Sequence, residues 1–193
     1  MIWDNNDDIR VECCDGTRRH IQSVLDSCRE ERRPYVIIKN ECSAQQSCCS
    51  EVQKGLSRIL VPISMLEEEV YKAEICTYLA RKTGAHLILL RARDYGSKAK
   101  QNTQRIITHI QTIAERTGEE ISYEEQVAKR DSFYFHKDFH FEGWQHDLLL
   151  LTASREYGLD DWLFGPPELY AIRHSQVPVM LVNPRADLFS LCD

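Results

Sequence analysis

Hydrophobic and polar positions along this chain switch repeatedly between a period of two and a period near 3.6. Ile9 to Cys13 reads as a strand, and Arg18 to Glu30 sets Ile21, Val24, Leu25 and Cys28 at helical spacing. Pro34-Tyr35-Val36-Ile37-Ile38-Lys39 is the short apolar run of a buried strand, so the first 42 residues form one strand-helix-strand unit. Residues 43 to 56, rich in Ser and Gln and carrying Gly55, lack periodicity and read as a linker. The alternation restarts with a strand at Arg58 to Ile63. A helix over Glu67 to Lys82 follows, with Leu66, Val70, Ala73 and Ala80 on one face and Gly84 as its stop signal. Then come a strand at His86 to Leu90 and an amphipathic helix at Lys98 to Arg116 that ends at Gly118. A half-covered strand spans Ile121 to Val127, and a short helix is expected around Phe139 to Gln145. A strand at Leu148 to Leu151, a helix after Gly165-Pro166 and a last strand at Val177 to Val182 complete the series. From residue 57 to 185 that makes five strands separated by helices. Short apolar strands joined in this way predict an α/β fold built on an open, parallel, doubly wound sheet. Residues 186 to 193 read as a tail.

Composition narrows the function classes. The 193 residues suit one core, with at most a fragment beside it. The net charge of -6 is spread evenly: residues 1 to 56 hold 8 Lys and Arg against 10 Asp and Glu, and the remainder 16 against 20. No basic patch for nucleic acid or an anionic membrane surface follows from such a balance. The mixed run Arg29 to Arg33 reads as the solvated end of a helix. No stretch reaches the roughly 18 to 20 apolar residues of a membrane helix. Met1 to Asp8 lacks the basic start and apolar run of a signal peptide, so a cytoplasmic location with reduced thiols is expected. The cysteines crowd the N-terminal part, at Cys13, Cys14, Cys28, Cys42, Cys48 and Cys49, and none forms a Cys-x-x-Cys.

The chemistry-bearing candidates are sparse. His136 and His140 are spaced to chelate a metal if helical but have no third ligand in view, and read as surface histidines. Asp160-Asp161 reads as the start of a helical turn. Vicinal Cys13-Cys14 and Cys48-Cys49 are poor chelators of one ion and have no identifiable thiolate-stabilising neighbour. No catalytic residue and no metal ligand is assigned, and the chain is expected not to be an enzyme.

The loop after the Leu148 to Leu151 strand is where phosphate-bearing ligands sit in a parallel α/β sheet. Ile59-Leu60-Val61-Pro62, Leu79-Ala80 to Gly84-Ala85-His86-Leu87-Ile88-Leu89-Leu90, Asp147-Leu148-Leu149-Leu150, Gly158-Leu159, Gly165, His174-Ser175 and Val177-Pro178-Val179-Met180-Leu181-Val182 occur in order between 57 and about 185. Together they resemble a universal stress protein domain. The first 42 residues are similar to the final strand-helix-strand of a preceding domain of the same kind. Tandem members from the Bacteroidetes group look like this chain, with the first copy reduced.

The resemblance implies strand order 3-2-1-4-5 and a cleft between the ends of the first and fourth strands, at Ile63-Ser64-Met65 and Thr152-Ala153-Ser154. In nucleotide-binding members the loop runs Gly, two residues, Gly, nine residues, Gly, then Ser or Thr, and an Asp follows the first strand. Counting back from Gly165, Arg155 and Thr152 stand where the first two glycines belong; Pro166 replaces the hydroxyl residue, and Ser64 stands near the Asp position. Side chains at 152 and 155 crowd a phosphate cradle, and Pro166 removes both a hydroxyl and an N–H donor. Ser64, Thr152, Arg155, Gly158 and Gly165 therefore mark a degenerate nucleotide cleft, with Arg155 the one group able to hold an anion. The expectation is a regulatory or binding module without a cofactor. Two alternatives stay open: a nucleotide-dependent switch or weak ATP hydrolase using ATP or another adenine nucleotide in this cleft, and a thiol redox sensor. The last strand, Pro178 to Val182, is expected either to make a homodimer or to pair internally with Tyr35 to Lys39.

Overall fold

The computed structural model describes residues 9–31, 33–39, 55–93, 97–128, 145–153 and 167–183. Seven strands form one sheet: β1 (Arg10–Cys14), β2 (Tyr35–Lys39), β3 (Arg58–Ile63), β4 (His86–Arg91), β5 (Tyr123–Val127), β6 (Leu148–Thr152) and β7 (Val179–Val182). Their spatial order is β1-β2-β7-β6-β3-β4-β5. Every neighbouring pair is parallel except β2 with β7, which is antiparallel. Counted from β3, the right-hand part of the sheet runs third, second, first, fourth, fifth.

The helices are α1 (Arg18–Glu31), α2 (Lys72–Thr83), α3 (Lys98–Thr117) and α4 (Pro167–His174), with a 3₁₀ turn at Glu67–Tyr71 leading into α2. Side chains alternate along each strand, so the sheet buries two apolar faces. On one, Ile59, Val61, Leu87, Leu89 and Met180 meet Ile75, Cys76 and Leu79 of α2 and Ile106 and Ile110 of α3. On the other, Tyr35, Ile37, Leu149 and Leu181 meet Ile21, Leu25 and Cys28 of α1 and Leu169 and Ile172 of α4. Gly84 and Gly118 take left-handed conformations at the ends of α2 and α3, φ 72° and 69°, and return their N–H groups to Ala80 and Ala114. The short helix expected near Phe139 falls largely outside the described residues.

The antiparallel junction joins two similar pieces. Tyr35 pairs Leu181, Val36 pairs Met180 and Ile37 pairs Val179. Around the central Val36–Met180 pair, Pro34 to Lys39 and Pro178 to Asn183 run through a local two-fold relation. Each strand then ties down the helix of the other unit. Lys39 donates from its ammonium to the carbonyls of Arg173 and Ser175, both at 2.8 Å, at the C-terminal end of α4. Asn183, three residues beyond Met180 as Lys39 is beyond Val36, donates to the carbonyl of Cys28 in the last turn of α1 at 3.0 Å. Both contacts satisfy carbonyls that a helix end leaves without an intrahelical partner. Of the two pairings expected for the last strand, the chain uses the internal one, and β7 has a neighbour on each side.

The far edge is protected differently. β5 is Tyr-Glu-Glu-Gln-Val, and its carboxylates face Arg58 at 3.3 Å and Arg91 at 2.9 Å. Charge on an edge strand discourages addition of a further strand. Removing residues 1 to 42 would bare β7, which has no such charges. The deletion is expected to shift the protein to larger oligomers or aggregates in size-exclusion chromatography, whereas a soluble, unchanged monomer would contradict the structural role of the β2–β7 junction.

Candidate functional site

In an open α/β sheet a ligand crevice forms where neighbouring strands send their connections to opposite faces, at the carboxyl ends. Here that point lies between β3 and β6. Their ladder pairs Ile59 with Leu148 and Leu60 with Leu149. Two residues on, Pro62 has no N–H to donate. The next carbonyl, of Ile63, accepts from Ala92 on the β4 side, so alternation turns the Pro62 carbonyl toward β6. The Pro62 carbonyl therefore points into the gap between the two strand ends.

The chain fills that gap with its own charges. Lys72 is wholly buried, and its ammonium donates to the Pro62 carbonyl at 2.5 Å. It also lies 2.5 Å from Oε2 of Glu69, itself 1% exposed. Ser64, just past β3, donates its hydroxyl to Oε1 of Glu69 at 2.7 Å. Thr152, the last residue of β6, approaches Oε2 from the other side at 3.4 Å. Asn102 of α3 donates to the carbonyls of Ser64 and Leu66 at 3.0 and 2.8 Å, fixing the chain as it leaves β3. One carboxylate thus bridges the ends of the first and fourth strands of the parallel part of the sheet.

Burial pushes the Lys72 ammonium below its usual range, opposed by the adjacent Glu69 carboxylate. Lys72 belongs to α2 and Glu69 to the 3₁₀ turn before it, three residues earlier. Of the apolar residues assigned to one face of this helix from sequence, Ala73 and Ala80 are buried, whereas Leu66 is 53% exposed. Glu69 lies inside and Leu66 outside because the turn over Glu67–Tyr71 is 3₁₀ and changes the phase in which α2 begins.

Of the residues predicted for the cleft, Ser64 and Thr152 do meet, through Glu69. Arg155, Gly158 and Gly165 lie outside the described residues, as do His136, His140 and Asp160-Asp161. The central groups, Glu69 and Lys72, were missed from sequence. The signal was present in the stripe Leu79, Cys76, Lys72 and Glu69, which continues the apolar face of α2 backward at steps of three and four.

The thiols near the cores are ill suited to redox signalling. Cys76, one turn beyond Lys72, and Cys28 in α1 are buried, and burial pushes each thiol up to about 12. A neutral, enclosed thiol is a poor nucleophile.

The comparisons with known proteins agree with this architecture. No protein-family model and no curated protein matches the sequence. Among solved structures, a universal stress protein from Archaeoglobus fulgidus superposes with a TM-score of 0.60 at 15% identity, over 93% of this chain and 62% of that one. The chain has the universal stress protein fold. It spans less than two thirds of the length of the archaeal protein. A universal stress protein solved in complex with cAMP matches with a TM-score of 0.54 at 14% identity, over 68% of this chain and 100% of that one. A functionally unknown protein from Pseudomonas aeruginosa PAO1 matches with a TM-score of 0.50 at 11% identity, covering 92% and 63% of the two chains. That two of these cover more than nine tenths of the chain means the strand-helix-strand unit before β3 is shared by them as well.

Two expectations follow. Lys72→Met leaves a buried carboxylate opposite an apolar side chain and should cost about 3–5 kcal/mol in urea unfolding, most of which Glu69→Leu on the same chain should restore. Additive losses in the double variant would show that the two groups do not act as a pair. The second concerns pH. Cys28 and Cys76 have folded values raised from 9.0, so their contribution to stability is complete below that pH and is lost as pH climbs toward about 12. A Cys28→Ala, Cys76→Ala variant should lose less stability than the parent between pH 9 and 11, and equal alkaline slopes would contradict neutral, buried thiols.

Proposed function

We propose that this protein is a universal stress protein-like regulatory or binding module of the stress response that works without catalysis and does not hold ATP in the manner of nucleotide-binding members. The observation that carries the reading is the Glu69–Lys72 pair between the ends of β3 and β6. A phosphate entering there would meet a fixed carboxylate, and it would have to displace an ammonium already held by Glu69 and the Pro62 carbonyl. Thr152 and Ser64, at the strand ends that line the cleft, direct their hydroxyls at the same carboxylate. No helix among the described residues is long and apolar enough to cross a membrane.

A second reading keeps an adenine nucleotide. It is favoured by the structural neighbour that was solved with cAMP, which this chain matches over the whole of that protein's length. Such a ligand would use the rim of the cleft while the buried pair stays closed beneath it.

Calorimetry of the purified, dialysed protein with ATP, ADP, AMP and cAMP, with and without magnesium, separates the two. The first reading expects no heat of binding for any of them and no co-purified nucleotide by mass spectrometry. Micromolar binding of cAMP or AMP would replace it with the second, and micromolar binding of ATP would overturn the claim that the charge pair closes the site.

A further inference from the structure

The turn between β1 and α1 gathers three metal-ligating side chains of different kinds. Cys14 is the last residue of β1, Asp15 follows, and His20 stands in the first turn of α1. Gly16 adopts a left-handed conformation, φ 75°, and folds the chain back so that these residues converge. A side chain at Gly16 would also press within 3.3 Å of the Lys39 stem, so the tight turn depends on glycine twice over. The Cys14 sulfur, the Asp15 carboxylate and a ring nitrogen of His20 all lie within 4.8 Å of one another.

The donors are arranged as ligands. The Asp15 carboxylate accepts the Thr17 N–H at 2.8 Å and the Thr17 hydroxyl at 2.7 Å, both on Oδ1, and these bonds keep it ionised by holding it below the usual carboxylate range. Nδ1 of His20 lies 3.4 Å from the backbone nitrogen of Asp15 and 3.3 Å from Asp15 Oδ1. With metal–nitrogen and metal–oxygen bonds of about 2.0–2.2 Å, a tetrahedral site has N···O edges of roughly 3.3–3.5 Å. The Cys14 sulfur is buried behind them and accepts the Gly16 N–H at 3.4 Å. His20 is half-buried and Asp15 is exposed, so the cluster is open to solvent on that side. Lys39, whose stem passes Gly16, has its ammonium committed to the Arg173 and Ser175 carbonyls.

By the local two-fold that relates β2 to β7, β1 corresponds to β6, and Cys13 stands where Thr152 stands. The cluster is therefore at the carboxyl end of β1, on the edge of the sheet, and it is separate from the crevice between β3 and β6.

We propose that Cys14, Asp15 and His20 bind one divalent transition-metal ion of the zinc type, with water as the fourth ligand. On binding, the sulfur–metal bond forms as the Cys14 thiol proton leaves to solvent, so that a thiolate and a carboxylate balance the charge of the ion.

Cobalt(II) added to the metal-free full-length protein tests this, because a thiolate ligand gives a charge-transfer band in the near ultraviolet. One equivalent is expected to produce the band, and both Cys14→Ser and His20→Ala are expected to abolish it with unchanged far-ultraviolet circular dichroism. His20→Ala is the deciding variant if Cys14→Ser fails to fold, since His20 is at the surface. Absence of the band in the parent protein would overturn the proposal. So would a band that survives His20→Ala unchanged, since it would show that His20 does not hold the ion, or one that survives Cys14→Ser, since it would assign the ion to other thiols.

Discussion

A parallel sheet ends in strands whose outer backbone groups have no partner, and each edge must be covered, charged or paired. In this chain that constraint is met at β7 by β2, and much else follows from it. The antiparallel register centred on Val36 and Met180 brings α1 and α4 onto the same face, where Ile21, Leu25, Cys28, Leu169 and Ile172 share one core. It also delivers Lys39 and Asn183 to the C-terminal ends of the opposite helices. A contact of this form between identical subunits would be isologous, with each subunit giving the other the same groups. Here the two sides have diverged, an ammonium on one and an amide on the other, because a covalent connection removes the requirement that they be the same residue.

Most of the fold was legible because strand and helix periods are separated cleanly by Gly84, Gly118 and the Pro-initiated strands. The two runs Pro34 to Lys39 and Pro178 to Asn183 were each recognisable, and their internal pairing was one of two options that edge-strand reasoning left open. Sequence alone could not choose, since an intermolecular and an intramolecular partner satisfy the same backbone groups. The cleft was legible as a place but not in its contents. The loop's missing glycines directed attention to Thr152 and Arg155, whereas the decisive groups came from the opposite strand's exit. Leu66 and Val70 looked like the start of an apolar stripe, and Glu67 to Lys72 looked like an exposed helix beginning. Hydrophobicity is normally the stronger guide to burial. It failed here because the Lys72 ammonium, from the first turn of α2, is held inside by Glu69 and the Pro62 carbonyl.

The cost of that arrangement indicates what the pair does. Burying an ammonium and a carboxylate carries a desolvation penalty that their mutual attraction only balances when further hydrogen bonds are present. Ser64, Thr152 and the Pro62 carbonyl supply those bonds, and all three lie at the strand ends that would otherwise line a ligand crevice. The pair therefore satisfies, from within the chain, polar groups that lie at the two strand ends. The described groups at the β3–β6 strand ends, Ser64, Glu69, Lys72 and Thr152, turn to one another, whereas at the end of β1 the Cys14 sulfur, the Asp15 carboxylate and a ring nitrogen of His20 lie within 4.8 Å of one another with Asp15 exposed.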